Sequence, residues 1–459
     1  MSMGRQLKFL FYASLIIFLN VMMLALPWGS AYLSLIIIAT YLIFRPHHVF
    51  HPNNMVFASY GLYVVVSSTL TLILDLIDWE YVLPWGQTVF WKEMSLYLLF
   101  QVEFTFLILF FGLHYFSRSK GIASKQVVES FSVKENFTNA LYVACILLVF
   151  LFMQLTAGVS EWVENYSYTY LTKREGFGLL NVTIIVLGNI VVYLLGLQTI
   201  TARCKFPLIL KAIFLCMILS VIGGIKSRFI FLLIVYLSPR FLHLSFKLRS
   251  VVMFSVAFFV LLYLGTLFRT DFFYASAPYF LEMLIGYFNS YQLHDLVVTS
   301  RDSAFFQTLS QFFVKPLQIL GIESKDASFD ISIMLTKEFF PEQWENEHAT
   351  QQWPIETEMY LNYFGFYLSW VPLLLYAAAI GWLYRIAIIG RNYWLLLIYV
   401  MEFQRIFSTL RGTLIPWEMP VYIVQYFLIY ITCKYACQVN TSRVQSSISS
   451  NELLSYKRC

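Results

Sequence analysis

Residues 141–153 read Leu-Tyr-Val-Ala-Cys-Ile-Leu-Leu-Val-Phe-Leu-Phe-Met. No charge interrupts the run, and every face of a helix drawn through it is apolar. The surface helix of a soluble protein keeps a polar face, so a helix without one belongs in lipid or deep in a core. A strand of a membrane β-barrel would alternate polar and apolar residues over about 10 positions, and this run does not. Comparable runs recur near 8–26, 29–44, 55–76, 93–116, 138–157, 179–200, 208–223, 229–239, 250–268, 360–384, 393–410 and 419–436. A span of roughly 20 apolar residues crosses the hydrocarbon core of a bilayer, so the pattern predicts an all-α polytopic membrane protein with about 12 transmembrane helices.

Composition points the same way. The 459 residues are 59% hydrophobic, 19% aromatic and 12% charged, about half the charged share of a soluble domain. A soluble enzyme, a nucleic-acid binder, a disordered chain and a single-pass receptor are excluded. The net charge of +5 reflects where the cations sit. With the N-terminus (Arg5, Lys8) in the cytoplasm, the inner segments are 45–54, 117–137, 201–207, 240–249, 385–392 and the tail after 436. Each carries Lys or Arg, and Glu129, Glu135 and Glu452 are their few acids. That asymmetry is the positive-inside pattern. The chain divides into residues 1–268 (a first helix bundle of about nine spans), 269–359 (a large outer loop), 360–436 (the last three spans) and 437–459 (a cytoplasmic tail).

The outer loop is rich in aromatics, and 304–320 and 329–340 repeat apolar residues at helical spacing. The loop is therefore partly helical, with amphipathic helices lying over the membrane face. Long structured loops between spans carry function more often than not.

Cations on the outer side oppose the topology and need a reason to be there. Lys226 and Arg228 follow Gly223-Gly224, Arg269 begins the large loop, and Arg405 and Arg411 flank the outer end of the eleventh span. Snorkelling to headgroups explains any single one. Together they suit a bound anion, with Arg as a planar fork and Lys as a point charge. Gly223-Gly224-Ile225-Lys226-Ser227-Arg228 adds backbone donors and a helix N-terminus, which makes it a pyrophosphate seat. A second group closes the loop: Glu347-His348, then Glu356-Thr357-Glu358-Met359-Tyr360-Leu361-Asn362-Tyr363-Phe364-Gly365. If helical, Glu358, Asn362 and Gly365 share one stripe, and Glu356 and Tyr360 a neighbouring one. Glu402 and Arg405, three apart, are placed to pair. The sequence contains no phosphate-binding loop, no His-Glu-x-x-His helix, no Gly-x-Ser-x-Gly elbow and no Asp-x-Asp pair; no metal ligands or cofactor are predicted.

Aromatic-rich spans, the Gly-Gly-x-x-x-Arg turn, one large late outer loop, its closing Glu-x-Tyr-x-Asn-x-x-Gly and the late Arg411 resemble the Wzy-type O-antigen and oligosaccharide repeat-unit polymerases, relatives of the O-antigen ligases. The resemblance implies a glycosyltransferase of the bacterial inner membrane with its site on the periplasmic face. It would transfer a growing glycan from undecaprenyl pyrophosphate to the non-reducing end of a lipid-linked repeat unit, without metal and with inversion. The expected partners are undecaprenyl-pyrophosphate-linked oligosaccharides and membrane lipids, with a chain-length regulator protein a further candidate and no nucleic acid. Without a metal, leaving-group charge must be met by Lys226, Arg228, Arg269, Arg405 and Arg411. The hydroxyl needs a base, for which His348, Glu356 and Glu358 are the candidates in that order; Tyr360 and Asn362 would hold sugar. An O-antigen ligase and a lipid-linked oligosaccharide flippase are the alternatives.

The topology predicts that an impermeant thiol reagent added from the outer side reaches a cysteine placed by Lys325→Cys and not one placed by Ile122→Cys. The opposite pattern would put the proposed site in the wrong compartment.

Overall fold

The computed structural model describes residues 3–79, 95–118, 130–164, 177–202, 204–223, 226–242, 277–288, 291–307, 331–347, 350–414 and 419–440, with a few single positions between them. The expected span 250–268, Arg269, His348, the Gly224-Ile225 step, 308–320 and the tail from 441 lie outside the described residues. The helices are α1 (Met3–Ala25), α2 (Gly29–Phe44), α3 (Pro52–Tyr60), α4 (Ser67–Leu76), α5 (Leu96–Phe116), α6 (Glu135–Thr156), α7 (Val159–Glu164), α8 (Gly178–Thr201), α9 (Phe206–Gly223) and α10 (Lys226–Phe241). They continue as α11 (Ala277–Phe288), α12 (Tyr291–Ser300), α13 (Ile331–Phe339), α14 (Pro341–Glu347), α15 (Ile355–Tyr363), α16 (Trp370–Tyr384), α17 (Tyr393–Thr409) and α18 (Met419–Ala436). Strands β1 (Ser130–Val133) and β2 (Cys437–Asn440) form an antiparallel pair.

This is an all-α membrane protein apart from that short pair. Among the described residues six helical segments are long and apolar enough to cross a membrane: Gln6–Ala25, Pro52–Leu76, Leu96–Phe116, Glu135–Thr156, Gly178–Thr201 and Trp370–Ile389. At 1.5 Å per residue each covers the roughly 30 Å hydrocarbon layer. Gly29–Phe44, Phe206–Ile222 and Val421–Ala436 are shorter apolar helices. The expected span 360–384 is corrected in its first turns. Its helix α15 stops at Tyr363, Phe364 and Gly365 take left-handed backbone conformations (φ 52° and 58°), and α16 starts at Trp370. Gly365 therefore leaves the stripe of Glu358 and Asn362. The helix expected over 304–320 is likewise absent at its start, where Phe305 pairs with Tyr363 in an isolated bridge. The helix expected over 329–340 is present as α13.

The chain folds as two compact units. The first comprises residues 1–120, 241–391 and 398–426. Its apolar helices are joined by a few buried polar pairs, which hold helices together where lipid supplies no hydrophobic contrast. Ser34 meets Ser68 at 2.7 Å, Tyr12 meets Thr40 at 2.9 Å, and the Tyr41 hydroxyl donates to Asn54 at 3.0 Å. Asn53 Nδ2 donates to the Phe110 carbonyl at 3.1 Å, tying α3 to α5. Both helices have built starts: His51 Nδ1 caps α3 before Pro52, and Ser95 Oγ caps α5. Between α3 and α4 the backbone widens into a π turn, Gly61–Val66. Short helices from the expected outer loop have their own core of Leu293, Val297, Ile331, Leu335, Trp353, Tyr360 and Leu361.

The second unit comprises residues 121–240, 392–397 and 427–459. Here β1 pairs with β2 in the register Ser130↔Asn440 to Val133↔Cys437. Lys134 continues the pairing by donating to the Ala436 carbonyl, and its ammonium lies 3.7 Å over the Tyr435 ring. Residues 117–137 and the tail both carry the charge pattern of inner segments, so their pairing is consistent with one side of the bilayer.

Glycines set the closest helix approaches. A Cβ at Gly381 of α16 would lie 2.7 Å from Phe116 Cβ and 2.9 Å from its carbonyl carbon. A Cβ at Gly196 of α8 would collide with the Tyr236 carbonyl oxygen of α10. Overpacking of this kind costs about 1–3 kcal/mol. Gly381→Val and Gly196→Val should each lower the melting temperature in detergent, whereas Gly178→Val, with nothing within 4 Å, should not. Equal melting of all three would remove glycine contact as the packing determinant.

Candidate functional site

Helix α15 is nine residues long and buried throughout. Burying its two carboxylates, Glu356 (0% exposed) and Glu358 (1%), needs compensation, because an unpaired buried charge is costly. Both lie in the first turn, where the helix N-terminus favours negative charge. The remainder comes from other elements. The Tyr60 hydroxyl of α3 donates to Glu356 Oε1 at 2.6 Å, and the Tyr291 hydroxyl of α12 also bonds this carboxyl. Gln101 Nε2 of α5 donates to the Glu356 carbonyl at 3.1 Å. Glu356 Oε2 has no hydrogen-bond partner among the described residues. Loss of solvent pushes the Glu356 carboxyl up to about 7, against the lowering effect of Tyr60 and Tyr291.

A second polar chain fixes the frame. His294 Nε2 lies 3.1 Å from Gln101 Oε1, and His294 Nδ1 lies 3.1 Å from Thr357 Oγ1. Gln101 already donates through its nitrogen, so its oxygen accepts from His294 Nε2–H and Thr357 donates to Nδ1. Burial pushes His294 down to about 3, so the ring is neutral.

The turn after α17 closes over the start of α15. Ile355 N donates to the Leu410 carbonyl at 3.2 Å, and Leu414 N donates to Glu358 Oε2 at 2.5 Å. Arg411 sits within that turn. Its guanidinium lies 5.1 Å from the Tyr63 ring centre and 5.5 Å from that of Phe407, a cation–π seat. Its Nε is buried with no hydrogen-bond partner among the described residues. Burial works against its charged form, yet guanidinium keeps its proton in proteins.

Of the residues singled out by sequence, Glu356, Glu358, Tyr360, Asn362 and Arg411 thus come together on α15 and its covering turn. Tyr360 donates its hydroxyl to the Arg301 carbonyl at 2.9 Å, and the Asn362 carbonyl accepts from Phe306 N at 3.1 Å. Arg405 pairs with Glu402 at 2.6 Å, as their spacing suggested, and also donates to Tyr426. Arg228, in the second unit, donates to Asn189 Oδ1 at 2.9 Å. Lys226 begins α10, but its side chain is not among the described ones, and Arg269 and His348 lie outside the described residues. Tyr60, Tyr63, Tyr291 and His294 were missed, for they stand in no motif. Gln101 left a signal: it is an amide inside the otherwise apolar opening of α5.

Glu356 should leave a mark on stability. Its folded pKa lies above the unfolded carboxyl value near 4.3. Between those values the unfolded chain loses its proton first, so stability falls as pH rises from about 4.3 to about 7 and then levels. The loss is at most on the order of 4 kcal/mol. Glu356→Gln keeps an acceptor for Tyr60 and should flatten this part of the melting profile between pH 5 and 8. An unchanged slope would assign the titration to another group. Compared with protein-family models, curated proteins and solved structures, the chain matches none, so its function is read from Glu356, Arg411 and their surroundings.

Proposed function

We propose that this chain is a bacterial inner-membrane polysaccharide polymerase of the Wzy type. It transfers a growing glycan from undecaprenyl pyrophosphate to the non-reducing-end hydroxyl of a lipid-linked repeat unit on the periplasmic face. About 12 spans and an outer loop over 269–359 belong to this reading. The observation that carries it is a carboxyl held near neutral pKa, with one free oxygen, under a turn whose arginine has no ion-pair partner among the described residues.

The chemistry assigns one role to each. Glu356 accepts the proton of the acceptor hydroxyl, whose oxygen attacks the anomeric carbon of the donor glycan. The bond from that carbon to the pyrophosphate oxygen breaks, and the electron pair leaves with the pyrophosphate. Arg411 offsets the charge that develops there. A base with a pKa near the working pH is the effective one, so Glu356 moves ahead of His348. Glu358 follows, since Leu414 N already occupies Oε2. Arg405 is neutralised by Glu402, which takes it out of the pyrophosphate role.

The complete burial of Glu356 favours a second reading, a proton-coupled flippase of lipid-linked oligosaccharide, because a sealed protonatable carboxyl in a membrane protein suits a proton relay. A ligase would use the same donor with another acceptor.

Surface polysaccharide separates the readings. In a strain deleted for this gene, Glu356→Gln or Arg411→Ala should yield single-repeat product without the long ladder. Arg411→Lys should recover it only in part, since the planar fork is lost. Removal of the base should slow elongation by about 10²–10⁴-fold, and purified protein should elongate lipid-linked repeats in EDTA. Normal ladders in both variants would reject the polymerase site; complete absence of attached glycan would select the flippase or the ligase.

A further inference from the structure

Phe305 and Phe306 are large apolar side chains 45% and 50% exposed, on a segment outside every membrane-crossing helix. Their backbone is pinned. Ala304 N donates to the Tyr360 carbonyl, Phe306 N to that of Asn362, and Phe364 N to that of Ala304. Phe306 (φ 55°) and Phe364 (φ 52°) both take the left-handed conformation that side chains with a Cβ disfavour. The result is a cluster of outward rings. Phe305 stacks on Phe364 with centroids 5.5 Å apart, and lies 3.9 Å from Phe306. Strain held by surrounding hydrogen bonds, with apolar rings turned outward, calls for a partner.

We infer that this patch, continued by Tyr367 and Trp370, is seated in the membrane interface and touches lipid. Its level in the molecule is set by α5 and α16. A Cβ on Gly365 would meet the Tyr97 hydroxyl at 2.6 Å, and Phe366 packs edge-on against Tyr97 at 5.1 Å. Tyr97 is in the first turn of α5 and Trp370 begins α16, so the patch lies where two spanning helices start. Aromatic side chains concentrate at that depth. The exposed face continues down α16 through Val371 and Leu375, and residues 364–384 contain no charge. A glycan-stacking platform would need polar groups around the rings. Polar groups border the patch on one side only. Asp302 and Gln307 are exposed beside Phe305 and Phe306, as at a membrane–water boundary. Between Phe364 and Leu375, apart from the Tyr367 hydroxyl and the Trp370 indole N–H, which donates to the Tyr367 carbonyl, the polar side chain is Ser369, which is buried. The patch ends α15, whose other end carries Glu356. The eight helical residues from Glu356 to Tyr363 set that carboxyl about 12 Å along the axis from the patch. The lipid contact does not depend on the reaction catalysed.

Spin labelling tests it in the full-length protein, with Cys204→Ser and Cys459→Ser removing the exposed and terminal thiols. Nitroxide is attached after Phe306→Cys and, separately, Tyr367→Cys, whose side chain is 79% exposed and whose backbone is unstrained. Leu375→Cys on α16 and Glu345→Cys on α14 are the lipid and water references, both exposed. In vesicles of phosphatidylethanolamine and phosphatidylglycerol, labels at 306 and 367 should collide more with oxygen than with a water-soluble nickel chelate, as at 375. If the 306 variant fails to fold, the 367 label carries the same reading. Nickel accessibility matching that at 345 would overturn the proposal. Such accessibility combined with immobilisation of the label by added oligosaccharide would make the patch a sugar platform instead.

Discussion

The desolvation of one carboxyl orders the candidate site. Glu356 cannot be buried as a bare anion, so the fold supplies a hydroxyl from α3 and another from α12, and steadies its peptide group by an amide from α5. These three elements are far from α15 in sequence and meet around the single residue Glu356. Tyr60 is also the last residue before the π turn Gly61–Val66. Such turns shift the register of the helix beyond them and recur at functional sites. The turn contains Tyr63, whose ring seats Arg411. One local irregularity thus places the donor to the carboxyl and the platform for the cation on consecutive turns of the same helix.

The fold was far more legible than its joints. Spans such as Leu96–Phe116 and Glu135–Thr156 declare themselves because lipid demands an unbroken apolar surface along their length. The break between α15 and α16 does not, because Tyr363-Phe364-Gly365-Phe366-Tyr367-Leu368 reads as apolar whether helical or not. Only the glycine hints at it, and the left-handed backbone also recruits Phe364. Pairing of β1 with β2 joins distant parts of the chain through backbone groups, which any side chains supply. The site shows the same division. Glu356, Glu358 and Arg411 stand out as charges in apolar surroundings. Tyr60 and Tyr291 are two among 31 tyrosines, and only tertiary packing distinguishes them.

The two arginines at the end of α17 show why charge counting alone could not rank the cations. Arg405 has a carboxylate one turn back and a tyrosine hydroxyl from α18; it is a buttress between helices, with its charge balanced on the spot. Arg411, six residues later, lies past the end of the helix in a turn held to α15 by one backbone bond, Ile355 N to the Leu410 carbonyl, and by Leu414 N on the Glu358 carboxylate. Its ring contacts, Tyr63 and Phe407, attract a cation without hydrogen-bonding it. The Arg405 guanidinium already spends its Nη1 on a carboxylate and a hydroxyl, whereas the Nε of Arg411 has no hydrogen-bond partner among the described residues.

Neutrality of His294 completes the assignment of roles. A histidine 3.1 Å from both Gln101 and Thr357 would ordinarily compete with a carboxylate as proton acceptor. Here both ring nitrogens are occupied, and burial moves its protonation far below physiological pH. It therefore transmits geometry: Thr357 orients the ring, the ring orients the Gln101 amide, and the amide holds the peptide carbonyl of Glu356. Glu358 has an oxygen committed to Leu414 N. Glu356 has one oxygen without a hydrogen-bond partner among the described residues, and burial raises its pKa to about 7, so its protonation changes within the physiological range while His294 stays neutral.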